Sequence, residues 1–310
     1  MIQDSLIKSY GRTLNWSVAG LFAHDRFMWE LLRICNTLKV EVPIHSVYGG
    51  VPCLFQGGRI PLNDAHFDDV RTILKKYDDL GISCRLTFSN MMLTEDDLND
   101  ELSNNILAVL NSLSNTRHGV IVAYDPLVHH IHKKYPNLYT ISSIVKPIEE
   151  VGLGNDTIDY YIGLLDLYDY VTVNPNKIND GKFLKEMIMP ERIIFNVNSR
   201  CVSDCPNSKK HNDLIMEINT KSVRGEDYSK EVEKLTSLLN SCTKVHEVYP
   251  LKGSQMSYTE LEDLARRGYT HFSIEGRDFD GRCFIRDVGE YVFNYYLYDR
   301  IACSIMGGVV

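Results

Sequence analysis

Two hydrophobic patterns alternate along this chain: short runs rich in β-branched and aromatic residues, and longer stretches with apolar residues three and four positions apart. The short runs are typical of strands, and the longer stretches are typical of helices that bury one face. Their alternation predicts βα units and a parallel sheet. Eight runs are predicted as strands, at residues 16–22, 43–48, 83–88, 119–124, 138–143, 170–174, 192–198 and 271–275.

The helical pattern is clearest after the first predicted strand. Asp25 is in position to cap a helix whose apolar stripe is Met28, Leu31, Leu32, Cys35 and Leu38. Asp125 followed by Pro126 is typical of another helix start. Helical connections of this kind between eight strands predict a (β/α)8 TIM-type barrel that forms one domain over residues 1–310.

The seventh connection is enlarged and covers residues 199–270. Its pattern predicts an irregular polar loop at 207–227, a helix at 230–241, an extra strand at 246–251 and a helix at 258–267. Long connections on a rigid barrel usually carry function, and the active site of such a barrel lies at the carboxyl ends of its strands. We therefore expect the working face on this side.

Four of the predicted strands carry a polar alternate face. The pairs are Arg85 and Thr87, Thr172 and Asn174, Asn196 and Asn198, and Ser273 and Glu275. In a barrel, alternate residues of a strand point inward, so these side chains are candidates to line the site. The alternative is that they face solvent on a partly antiparallel sheet. On the barrel interpretation, we expect Asn198 and Glu275 to be catalytic, and Arg85 and Asn174 to bind the ligand.

Composition and charge restrict the class of protein. The chain is 44% hydrophobic and 24% charged, and it has no apolar run long enough for a membrane span. Its net charge of −8, with 33 basic and 41 acidic residues, disfavours strong nucleic-acid binding through phosphates. The start, MIQDSLIKSYGRTLNW, lacks a secretory pattern, so we expect a cytoplasmic protein. The tyrosine-rich YVFNYYLYDR is typical of an amphipathic helix that packs on the barrel or on another subunit of a homo- or hetero-oligomer.

Eight cysteines in a cytoplasmic chain favour core residues or metal ligands over disulfides. Cys201 and Cys205 have three residues between them in NVNSRCVSDCPNSKKHND, and His211 follows. Thiolates so close can bind one metal ion or one iron–sulfur cluster. Cys53 and Cys283 come just after other strands, so they are candidates to complete a [4Fe–4S] cluster. The alternative is zinc on Cys201, Cys205 and His211. The other four cysteines are interpreted as core packing: Cys35, Cys84, Cys242 and Cys303.

Arginines accompany several strand ends. Arg85, Arg200 and Arg277 lie on or just beyond strands, and guanidinium groups bind carboxylates and phosphates through paired hydrogen bonds. They predict a pocket for an anionic or strongly polar ligand. Glu275 with Arg277 fits an acid/base and an anion clamp. The alternative is that these charges form buried structural ion pairs.

Two motifs carry a resemblance to a known family. HFSIEGR, after a helix that ends in ARRGYT, resembles the F-K-I-E-G-R hallmark of the U32 collagenase-like peptidase family, and VNSRC resembles the stretch before that family's first clustered cysteine. The two motifs also stand in the family's order. Ser273 occupies the position where the family usually has lysine, and the cysteine spacing differs from the family's four-cysteine arrangement.

The resemblance implies a barrel and a choice of activities. Several members of the family carry a [4Fe–4S] cluster and take part in oxygen-independent hydroxylation of RNA bases or ubiquinone precursors, and others are classed as peptidases. The chain is therefore expected to be an iron–sulfur enzyme that acts on a small molecule or a modified nucleotide. The alternatives are a metal-dependent, peptidase-like hydrolase using metal-bound water, and a non-catalytic subunit of a larger assembly.

Overall fold

A computed structural model describes residues 14–37, 44–58, 67–151, 153–199, 205–241, 254–276 and 281–292. Eight parallel strands close into a barrel. They are β1 (Asn15–Ala19), β2 (Ile44–Gly49), β3 (Ser83–Phe88), β4 (Gly119–Val122), β5 (Tyr139–Ser142), β6 (Tyr170–Thr172), β7 (Ile193–Asn196) and β10 (His271–Ile274). Their order around the barrel is β1-β10-β7-β6-β5-β4-β3-β2. The predicted (β/α)8 barrel is confirmed, and each strand lies within one of the eight predicted runs or within one residue of it.

Helices alternate with these strands. They are α1 (Asp25–Thr37), α2 (Phe67–Asp78), α3 (Glu101–Ser112), α4 (Asp125–Lys134), α5 (Val145–Val151), α6 (Ile158–Leu167), α7 (Gly181–Glu186), α8 (Ser208–Arg224), α9 (Ser229–Asn240), α10 (Tyr258–Arg267) and α11 (Gly281–Val292). Short 3-10 turns cover Asp96–Asn99, Pro175–Asn179 and Pro190–Arg192. No helix in the described ranges is long and apolar enough to cross a membrane.

The apolar core lies between the strands and the surrounding helices. Trp16 is fully buried, with its ring centroid 5.5 Å from that of Phe272 and 6.2 Å from that of Tyr291 on α11. The buried stripe of α1 includes Met28, Leu31, Leu32 and Cys35, as the sequence predicts. Trp16 thus faces the helices, and the alternate residues of the strands face into the barrel, where several of them are polar. Two of these are Ser17 and Ser46, whose hydroxyls are 2.9 Å apart.

The largest difference from the prediction in the seventh connection is a helix in place of a loop. Most of the predicted polar loop at 207–227 is a helix, α8, because Leu214, Ile215, Met216 and Ile218 give it a buried face that its many polar residues obscure in sequence. Gly225 ends the helix with a left-handed φ of 70°.

Other parts of this connection follow the prediction more closely. Helix α10 has the predicted bounds and begins with a capping box between Ser257 and Glu260. A two-residue ribbon, β8 (Asn198–Ser199) with β9 (Ser254–Gln255), was not predicted. The strand predicted at 246–251 lies outside the described residues.

Candidate functional site

A cleft of about 680 Å³, including its open mouth, lies at the carboxyl ends of the strands. Its walls come from seven strands or the loops that follow them. The residues that line it are Tyr48, Gly57, Thr87, Ser89, Ile121, Ser143, Ile144, Val145, Thr172, Asn196, Ser273, Glu275 and Gly276. This is the face on which a TIM-type barrel carries its active site, as expected from the sequence.

Glu275 is held in the cleft through both its side chain and its backbone. Asn196 Nδ2 donates a hydrogen bond of 2.9 Å to Glu275 Oε1. The backbone N–H of Glu275 donates to Asn198 Oδ1 at 2.7 Å, and Asn198 Nδ2 donates in return to the Glu275 carbonyl at 2.7 Å. A residue fixed in this way keeps its carboxyl group in one position relative to the strand end, which acid/base chemistry requires.

The residue after Glu275 is a glycine, Gly276, because there is no room for a side chain there. A Cβ atom at this position would lie 2.0 Å from Cδ2 of the buried Phe284 ring, so a larger residue would displace α11. The Gly276 carbonyl is also 3.0 Å from His24 Nε2, and the His24 ring stacks on Phe284 with centroids 4.6 Å apart. The backbone after Glu275 is therefore locked against both α11 and the loop after β1.

Hydroxyl groups provide most of the remaining polar surface of the cleft. Tyr48 donates to the Ile274 carbonyl at 3.0 Å, and Ser273 Oγ donates to the Tyr48 hydroxyl at 3.4 Å. Thr87 Oγ1 is buried and has no hydrogen-bond partner among the described residues. Such an atom loses its water without compensation unless a ligand or a water molecule bonds to it. Among the described lining residues there is no Lys, Arg, His or Cys, and the carboxylate is Glu275.

Helix α8 contacts several of the loops at the carboxyl ends of the strands. Asn219 Nδ2 donates to Gln56 Oε1 at 2.7 Å and to the Gly58 carbonyl at 3.0 Å, in the loop after β2. Asn90, in the loop after β3, donates to Thr220 Oγ1 at 3.0 Å. Lys209 Nζ lies 2.5 Å from Glu149 on α5. The enlarged connection therefore packs on the carboxyl-end side, where the cleft lies.

The polar-face residues divide into two groups. Thr87, Thr172, Asn196, Ser273 and Glu275 line the cleft as the sequence predicts. Asn174 and Asn198 do not: Asn174 Oδ1 accepts from the Asn176 N–H at 3.1 Å and caps a 3-10 turn, and Asn198 binds the Glu275 backbone and the buried Asp287. Both contacts are those of residues that shape the loops around the site.

Arg85 was expected beside the cleft, and this placement is wrong. Its Nε donates to the Tyr139 hydroxyl at 2.8 Å and its Nη1 donates to Ser17 Oγ. Tyr139 is the first residue of β5, so the guanidinium lies inside the barrel toward its amino end. The alternation of a strand predicts which side chains point inward, but it does not give their height in the barrel. Arg200 and Arg277 lie outside the described residues.

The predicted metal ligands are not brought together in the described part of the chain, where no group of three or more His, Cys, Asp or Glu residues is arranged to hold a metal ion. Cys53 is fully buried in the loop after β2, and burial raises the pKa of its thiol to about 12, which disfavours the thiolate that a metal needs. Cys205 and His211 lie before and on α8. Cys201 and the Cys283 side chain lie outside the described residues. The described residues therefore do not by themselves form a metal or cluster site.

Several lining residues were missed from sequence. Tyr48 ends a predicted strand and lies two residues after Ser46. Alternation therefore predicts that both side chains point into the barrel. Gly57, Ser89 and Ser143 lie beyond the last paired residue of a strand, where parity no longer applies. A Cβ atom on Gly57 would lie 2.4 Å from the Ser89 backbone, so the loops after β2 and β3 touch here, which nothing in the sequence predicts.

Comparison with known proteins gives a fold relationship. No protein-family model and no curated protein matches the chain. The solved structure of the U32 peptidase Mk0906 is similar, with a TM-score of 0.53, 14% sequence identity, and coverage of 86% of this chain and 94% of that chain. At this identity the match supports the barrel fold and a remote structural relationship to a U32 peptidase.

Proposed function

We propose that the protein is an enzyme that binds a small polar molecule in the carboxyl-end cleft and exchanges a proton with it through Glu275. The observation that carries the proposal is the fixed position of this carboxyl group, held by Asn196 at the side chain and by Asn198 at the backbone. Positioned carboxyl groups are common general acids and bases. The hydroxyls of Thr87, Ser273 and Tyr48 supply hydrogen bonds to a substrate rich in hydroxyl, carbonyl or amide groups.

The test starts from a panel of such molecules: dipeptides, N-acyl amides, nucleosides and polyols at millimolar concentration. Ligands are identified by the rise in the thermal midpoint, and products by mass spectrometry. Glu275→Gln keeps the shape of the side chain and removes its proton exchange, so turnover is expected to fall at least ~100-fold. Glu191→Gln, at an exposed position, is the matched control. Equal turnover in Glu275→Gln and the wild type would reject the role of this residue.

The iron–sulfur hypothesis remains a second proposal, supported by the close spacing of Cys201 and Cys205 in sequence. It is tested on protein purified and reconstituted without oxygen, by iron content and by absorption near about 400 nm. The double variant Cys201→Ser/Cys205→Ser is expected to lose the iron, whereas Cys35→Ser and Cys53→Ser keep it because both thiols are buried. Equal iron in the wild type and the double variant would reject the cluster, and stoichiometric zinc would favour the hydrolase alternative.

A further inference from the structure

Arg85 lies inside the barrel among neutral side chains. It is 1% exposed, and it donates to the Tyr139 and Ser17 hydroxyls. Its guanidinium carbon is 5.4 Å from the centre of the Tyr139 ring and 5.9 Å from that of the Tyr170 ring. Tyr139 and Tyr170 are the first residues of β5 and β6, so this group is in the amino half of the barrel. The cleft at the carboxyl ends is a separate site.

The charge of Arg85 is not balanced by the described residues. No carboxylate among them lies within ion-pair distance of it, and its Nη2 atom is buried without a hydrogen-bond partner. Arginine stays protonated in proteins, and a buried charge without a counterion is costly. Hydroxyl and aromatic groups offset part of that cost. They do not neutralise the positive charge, and they leave the two N–H groups of Nη2 without an acceptor.

His271 presents a second unsatisfied group in the same region. Its ring centroid is 4.9 Å from that of Tyr170, the ring that also faces Arg85. Asn15 Nδ2, a donor, lies 3.3 Å from His271 Nε2, so Nε2 accepts and the proton of the neutral ring is on Nδ1. This Nδ1 is buried and has no hydrogen-bond partner in the described ranges. Burial and the nearby Arg85 charge lower the pKa of His271 to about 3, which keeps the ring neutral and a donor.

The region is close to the amino-end surface of the barrel. His45, which the structure leaves exposed, has its ring centroid 5.8 Å from that of His271. His45 falls at the irregularity in register between β1 and β2, where Trp16 pairs with Ile44 but Ser17 pairs with Ser46. An exposed side chain therefore lies beside the ring that carries one of the two unsatisfied donors.

We propose that the amino half of the barrel is a binding site for a small anion of the size of chloride, bromide or formate, held by Arg85 Nη2 and His271 Nδ1. The anion balances the charge of the buried guanidinium and accepts hydrogen bonds from Arg85 Nη2 and His271 Nδ1. The hydroxyls that already bind Arg85 fix the direction of Nη2. The neutral surroundings admit a single negative charge, so a monovalent anion fits better than a phosphate dianion.

The direct test is diffraction from crystals of the full chain grown or soaked in bromide, with data collected at the bromine absorption edge. The expected result is an anomalous peak within hydrogen-bond distance of both Arg85 Nη2 and His271 Nδ1. Water alone at this position overturns the proposal, as does a carboxylate from any residue outside the described ranges. This measurement needs no variant and does not depend on whether Glu275 is catalytic.

The solution test follows the thermal midpoint against chloride at constant ionic strength, with gluconate as the bulky replacement. The wild type is expected to gain several degrees with a saturating dependence on chloride, and Arg85→Met is expected to lose that gain. Arg117→Met is the matched control, because Arg117 lies 5.8 Å from the same Tyr139 ring but is exposed. A gain of the same size in Arg85→Met, or no gain in the wild type, overturns the proposal. If Arg85→Met does not fold, the bromide experiment decides.

Discussion

Asn196 Nδ2 lies 2.9 Å from Glu275 Oε1, which joins the last residue of β7 to the first residue after β10. The two strands are neighbours, with Asn196 opposite Ser273, so the bond lies across the wall of the cleft. It orients the carboxyl group that we propose as the acid or base.

Removal of this bond should reduce activity more than stability. In Asn196→Ala the Glu275 backbone keeps its bonds to Asn198, but its carboxyl group is free to rotate away from the substrate. Turnover of a substrate found with the panel is expected to fall about tenfold, since a hydrogen bond to a charged group is worth about 1.5–3 kcal/mol and other contacts partly replace it. Steady-state kinetics and the thermal midpoint are measured together. A fall in the midpoint with unchanged kcat/KM would contradict the positioning role.

Asn198 should behave in the opposite way. Its side chain is fully buried, donates to the Glu275 carbonyl and to Asp287 Oδ2, and accepts from the Glu275 N–H. Asn198→Ala leaves these buried groups without that partner, so the free energy of unfolding is expected to fall by about 2–4 kcal/mol. Urea unfolding measures the change. Asn176→Ala, at an exposed position, is the control, with an expected change within about 0.5 kcal/mol.

The different roles of these two asparagines show how far the sequence predicts the site. Alternation predicts that Asn196 and Asn198 both point into the barrel. This is correct for Asn196, which is part of β7. It fails for Asn198 because Val197 is a bend, after which the chain leaves the barrel and pairs with β9. The strand pattern thus predicts the barrel and five of the residues that line the cleft. It does not predict contacts made beyond a strand end.

The strand pattern also does not predict how high along the barrel axis a side chain lies, or that helix α8 packs over the carboxyl ends. Arg85 and Thr87 share one face of β3, yet Thr87 lines the cleft and Arg85 is directed toward the amino end. A long side chain can extend either way along the barrel, and the partners of Arg85, Ser17 and Tyr139, come from strands far away in sequence. Helix α8 was not predicted because its buried face mixes apolar residues with polar ones, such as Asn219 and Thr220, which form hydrogen bonds to loops.

Two glycines should respond oppositely to alanine. A Cβ atom on Gly119 would lie 2.3 Å from the ring of Tyr139, which is buried and bonded to Ser83 and Arg85. Gly119→Ala should therefore destabilise the protein by about 1–3 kcal/mol. Gly163, within α6, has nothing within 4 Å of that position, so Gly163→Ala should stabilise it by about 0.5–1 kcal/mol. Thermal and urea unfolding check both. A stable Gly119→Ala would mean that Tyr139 moves freely.

The last prediction concerns the stability of the fold at mildly acidic pH. His118 is buried, with Nε2 3.0 Å from Asp78 Oδ1, and its Nδ1 accepts from the Cys84 N–H at 2.9 Å. The ring is therefore neutral, with its proton on Nε2. Burial lowers the pKa of His118 below 6.5, and the hydrogen bond to Asp78 opposes this only in part.

Because the pKa is lower in the folded chain, the unfolded chain binds the proton more tightly. The contribution of His118 to stability is present above about pH 6.5 and is lost as the pH falls below that value, with a slope of up to ~1.4 kcal/mol per pH unit. Urea unfolding from pH 7.5 to pH 5 should show a shallower slope in His118→Asn than in the wild type, whatever the offset between them. His129→Asn, at an exposed position on α4, should keep the wild-type slope. Identical slopes in all three proteins would show that His118 takes up its proton equally well in the folded state.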